Sequence, residues 1–68
     1  MSVYETNAFL YGYDALIGKS ARMEYLPTAR SRKWRTGFFV KSYSEVAWTA
    51  AMRLVQLGEV SSFRFVAA

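Results

Sequence analysis

The chain has 68 residues, nine of them Lys or Arg and five Asp or Glu, and it contains neither histidine nor cysteine. Without histidine there is no ordinary neutral-pH general base and no Ser-His or Cys-His nucleophile pair; without cysteine there is no thiolate chemistry, disulfide or Cys/His metal site. A single domain of this size buries only about 60% of the surface that its unfolded chain exposes, so it depends on large side chains, which an 18% aromatic content supplies.

The five carboxylates, Glu5, Asp14, Glu24, Glu45 and Glu59, are scattered singly. None forms a local acid pair or a metal-ligand spacing, so the expectation is a non-enzymatic protein with no cofactor and no metal. No stretch approaches the roughly 20 apolar residues of a membrane span, and Met-Ser-Val-Tyr-Glu is not the basic start of a secretory signal. These features predict a cytoplasmic protein without membrane contact, its residues 1–68 forming one small domain.

Val3 to Tyr13 is β-prone, with Phe9, Tyr11 and Tyr13 on one face, and predicts a first strand. Asp14 to Ser20 reads as a connection around Gly18, although Ala15, Leu16 and Ile17 are too apolar for a plain exposed loop. Gly18-Lys19-Ser20 looks like the end of a phosphate-binding loop, but five residues separate Gly12 from Gly18 where that motif needs four. A turn is the simpler reading.

From Ala21 the alternation is clean, with Ala21, Met23 and Tyr25 against Arg22 and Glu24, and this second strand stops at Pro27. Thr28 to Lys33 is a polar, basic loop. A third strand starts at Trp34, with Trp34, Thr36, Phe38 and Val40 on one face and Arg35, Phe39 and Lys41 on the other.

Ser42-Tyr43-Ser44-Glu45 fits a capping box, predicting a helix from Tyr43 to Leu57 that Gly58 ends. On a helical wheel Tyr43, Val46, Ala47, Ala50, Leu54 and Leu57 form one apolar stripe, while Trp48, Ala51, Met52 and Val55 form a second. Only an arc of about 80° remains for Glu45, Thr49, Arg53 and Gln56. Glu59 to Ala67 predicts a fourth strand, Ser61, Phe63 and Phe65 alternating with Ser62, Arg64 and Val66. The order is βββαβ: an α+β domain with a mainly antiparallel sheet of about four strands and one helix on one face.

Two surfaces exceed what a core requires. Arg30, Arg32, Lys33, Arg35 and Lys41 concentrate a charge of +5 in residues 28–41, against +4 for the whole chain. Guanidinium groups bind phosphates and carboxylates bidentately, and the interleaved Trp34 and Phe39 add stacking if they face outward. The competing reading is a solvated hairpin whose charges keep an edge strand soluble. Trp48, Met52 and Val55, at i, i+4 and i+7, are the second candidate. They either meet a partner, most simply a second copy of the chain, or are covered by the connection from Asp14 to Ser20.

The segment Phe38-Phe39-Val40-Lys41-Ser42-Tyr43-Ser44-Glu45-Val46-Ala47, a strand leading through a Ser-rich cap into an Ala-rich helix, resembles two groups. One is the very small phage-encoded inhibitors, including several anti-CRISPR proteins, which have a bent sheet and one helix. The other is the three-stranded-sheet DNA-binding domain at the N-terminus of phage and transposon integrases. The first likeness implies stoichiometric action by occupying a target's surface, as an inhibitor of host defence, and the cationic segment suits a protein or nucleoprotein target with an acidic or phosphate-rich surface. The second implies a DNA-binding sheet backed by the helix, while the basic residues themselves offer sequence-nonspecific DNA or RNA binding by residues 30–41 as the alternative.

Overall fold

The computed structural model describes residues 14–68. A short 3₁₀ turn, Asp14–Leu16, leads into strand β1 (Ala21–Leu26). Strand β2 (Arg35–Val40), helix α1 (Glu45–Gln56) and strand β3 (Ser62–Ala67) follow. The three strands form one antiparallel sheet in the order β2-β1-β3. Both outer strands run against β1 and therefore parallel to each other, which is why a helix, rather than a tight turn, connects β2 to β3. The strand expected over Val3 to Tyr13 lies outside the described residues, within which the element order is ββαβ.

Alternation in β1 divides the sheet into two faces. Ala21 and Met23 are fully buried beneath α1, and Tyr25 packs against the same core. Phe65 of β3 sits opposite Met23, and its ring lies 4.7 Å from that of Tyr43, 6.0 Å from Phe38 and 5.9 Å from Phe63. Trp48 adds an edge contact with Phe63 at 6.2 Å. Alanines at 21, 47 and 51 let the helix approach the sheet, and the aromatic rings fill the space around them.

The helix begins two residues later than the capping box suggests. Ser44 is its extended N-cap, without a side-chain cap hydrogen bond. Tyr43 precedes it as an isolated bridge to Ile17, its N–H donating to the Lys19 carbonyl at 2.8 Å and its carbonyl accepting from Gly18 N–H at 2.9 Å. These two bonds require an extended Tyr43, so the first helical turn cannot include it. At the other end Gly58 has φ +78°, Gly58 N–H donates to Val55 O at 3.0 Å and Glu59 N–H to Leu54 O at 3.0 Å. This is a Schellman stop, as the glycine predicts.

The helix is also turned about its axis by about 120° relative to the expected orientation. Ala47, Trp48, Ala51 and Met52 are its buried residues, with Trp48 only 4% exposed. Val46 and Leu57, assigned to the core stripe, are 78% and 64% exposed. Trp48 and Met52 are therefore core, not a free interface, and Val55 beside them is half-buried. The reason is size: Trp48 and Met52 bury far more apolar area than Val46 and Ala50, so this orientation removes more surface from water. Leu16, in the connection before β1, packs against the same core.

A bulge redirects β2. Met23 pairs with Phe38 and Glu24 with Thr36, leaving Gly37 as the extra residue. Phe38 and Val40 stay on the helix face, but Thr36 crosses to the opposite face and Arg35, opposite Tyr25, takes the helix side. The single alternation expected from Trp34 to Lys41 is thus broken in the middle.

Candidate partner-binding surface

The sheet face opposite α1 presents Arg22 and Glu24 from β1, Arg64 and Val66 from β3, and Thr36 and Phe39 from β2. Glu24 is at its centre with a side chain only 12% exposed. One carboxylate oxygen accepts from Arg64 Nε at 2.8 Å and the other from Arg22 Nε at 3.1 Å. Register makes this arrangement: Arg64 is directly opposite Glu24, and Arg22 is two residues earlier on the same face of β1. The Arg64 guanidinium, followed by that of Arg22, holds the Glu24 carboxyl below the usual glutamate range.

Each arginine is fixed at a second point. Arg22 Nη1 donates to Ala67 O at 3.1 Å, and the Arg64 guanidinium carbon lies 4.2 Å from the centre of the Trp34 ring. Trp34 and Arg64 belong to opposite sides of the sheet, whose outer strands are roughly 10 Å apart, so their contact passes over β1. The bulge makes this possible by bringing Trp34 to the open face. Trp34 is half-buried there, whereas Phe39, on the same face opposite Arg22, is 68% exposed.

The β1–β2 loop, residues 27–34, carries the basic cluster. Ser31 N–H donates to Thr28 O at 3.1 Å, and Thr28 N–H donates to Ser31 Oγ at 3.2 Å, closing a turn that projects the flanking side chains. Arg30, Arg32, Lys33 and Arg35 are exposed and form no ion pair with a described residue. Lys41 does not join them. It stands past the other end of β2, roughly 20 Å along the strand, where Ser20 Oγ donates to its carbonyl at 3.2 Å. The expected 30–41 patch is therefore a loop cluster plus a separate cation near Lys19.

Charge density does not single out Arg22, Glu24 and Arg64, because each sits in an ordinary strand alternation and only strand pairing brings them together. Gly37 within an otherwise β-prone run was the available signal for the bulge. On the helix side, a shallow cleft of about 250 Å³ opens between Tyr25, Gly37, Phe38, Leu54, Glu59 and Val60. It falls below the usual volume of small-molecule sites, which starts at about 300 Å³. No group of three or more acidic residues among those described can hold a metal ion, and no described helix is long and apolar enough to cross a membrane.

Comparison with known proteins finds no matching family model, no matching curated protein and no matching solved structure.

Proposed function

We propose that this protein is a non-enzymatic interaction domain, binding stoichiometrically to an acidic or phosphate-lined surface of a protein or nucleoprotein target in the manner of a small phage-encoded inhibitor of host defence. The cluster at the loop carries the reading: Arg30, Arg32 and Lys33 in the loop and Arg35 at the start of β2 are exposed, close in sequence and unpaired with any described carboxylate. Like charges on one loop repel, and an oppositely charged surface relieves that repulsion while guanidinium forks supply directional hydrogen bonds.

Charge is distributed to suit such a contact. Of the described acids, Glu24 is already occupied by two arginines, Glu45 and Glu59 flank the helix at its two ends, and Asp14 opens the 3₁₀ turn before β1, so none lies in the β1–β2 loop. The loop and the open face thus meet a partner with little anionic competition.

The test is capture of partners on immobilised protein, comparing the wild type with Arg32→Glu. Arg32 is exposed and outside the strands, so the variant retains its fold, which circular dichroism checks. The expected result is loss of the captured partner at physiological salt. Full retention by Arg32→Glu removes the loop from the contact surface.

A further inference from the structure

We propose that the sheet face opposite α1 is a platform for single-stranded nucleic acid, with Phe39 stacking on a base and Arg22 and Arg64 holding adjacent phosphates. This rests on the reading that the basic loop faces a phosphate-lined partner, and it names that partner's chemistry and the face that receives it.

Three observations converge on this face. Phe39 is 68% exposed on a strand, directly opposite Arg22. An aromatic ring standing on a sheet with a cation beside it is the arrangement by which sheet-based domains stack unpaired bases while binding the backbone. A paired base in a duplex does not offer its flat face to such a ring, so the geometry selects single strands.

The second observation is how the arginines are held. Both donate to Glu24 through Nε. Arg64 then keeps both Nη groups, and Arg22 keeps Nη2, clear of any hydrogen bond with a described residue. Glu24 acts as a positioning residue: it orients two guanidinium groups whose outer edges remain available for phosphate oxygens. Two arginines against one carboxylate also leave this centre with net positive charge.

The third is continuity with the loop. Trp34, whose ring lies against Arg64, immediately precedes β2 and follows Arg32 and Lys33. A strand laid along β2 from Phe39 passes Arg64 and Trp34 and arrives at the exposed loop cations. Lys41, at the opposite end, extends the positive track beyond Phe39.

Fluorescence anisotropy with a labelled oligo(dT), an oligo(U) and a duplex of equal length tests this. The single strands are expected to bind more tightly than the duplex, with affinity falling as salt rises. Phe39→Ala should weaken single-strand binding by about 5- to 100-fold, corresponding to the loss of one stacked base, and Phe39→Tyr should restore it. Unchanged thermal melting of Phe39→Ala separates lost stacking from lost fold. Equal binding by Phe39→Ala and wild type, or a duplex bound as tightly as the single strands, overturns the proposal. So does absence of oligonucleotide binding at low salt. If, in that last case, a protein partner is still captured and is lost with Arg32→Glu, the interaction-domain reading stands and only the nucleic-acid platform falls.

Discussion

Arg64 on β3 and Trp34 at the entrance to β2 meet across the central strand, guanidinium carbon 4.2 Å from the ring centre. The contact links the two outer edges of a three-stranded sheet and places the basic loop beside the Glu24 cluster. At a partly exposed site a cation–π contact is worth about 0.5–1 kcal/mol. A double-mutant cycle of Trp34→Ala and Arg64→Met, read by urea denaturation, should give a coupling energy of that size. Strict additivity would mean that the two side chains are merely adjacent.

Glu24 makes stability depend on acidity. Its two arginine partners, Arg64 foremost, lower its folded-state pKa, so its contribution is fully present above the ordinary unfolded value of 4.5 and is lost as pH falls through the folded value. Wild-type thermal stability should therefore decline as pH falls below about 4.5, and Glu24→Gln should flatten that part of the profile. An unchanged slope in the variant would assign the acid sensitivity to other carboxylates.

Gly37 is required by packing. A Cβ there would stand 2.6 Å from Met23 Sδ and 3.3 Å from Tyr25 Cδ1. Met23 is fully buried, so its thioether must shift within the core to make room. Gly37→Ala should cost about 1–3 kcal/mol, the usual range for overpacking, measured as a lower urea midpoint. A neutral effect would show that the bulge moves freely away from Met23.

The two apolar stripes of the helix should respond oppositely. Trp48→Ala removes a buried ring and should cost about 3–5 kcal/mol, enough to unfold much of a marginal domain. Leu57→Ser, at an exposed position, should change stability by no more than about 0.5 kcal/mol. Reversed magnitudes would indicate that the helix is turned the other way.

Much of this was legible from local pattern. The alternation from Ala21 and the stop at Pro27 match β1, the run expected over Glu59 to Ala67 contains β3 but starts three residues before it because Glu59 N–H still caps the helix, and Gly58 ends the helix. These features follow from side-chain periodicity and backbone chemistry that neighbouring residues already contain. The basic loop was readable in part: Arg30, Arg32 and Lys33 lie in it, while Arg35 opens β2 and Lys41 stands past the far end of that strand.

Tertiary structure decided what the pattern left balanced. Val46, Ala50 and Leu57 competed with Trp48, Ala51 and Met52 for one side of the helix, and only contact with Phe63 and the sheet selected the larger side chains. Tyr43 is extended because Gly18 and Lys19 bond to it, a cause distant in sequence. The bulge at Gly37 moved Trp34 to the open face, and pairing of β1 with β3 carried Arg64 to Glu24 across 40 positions. A charge count placed the positive loop, but the aromatic and paired-arginine face beside it exists only once strands far apart in sequence share a register.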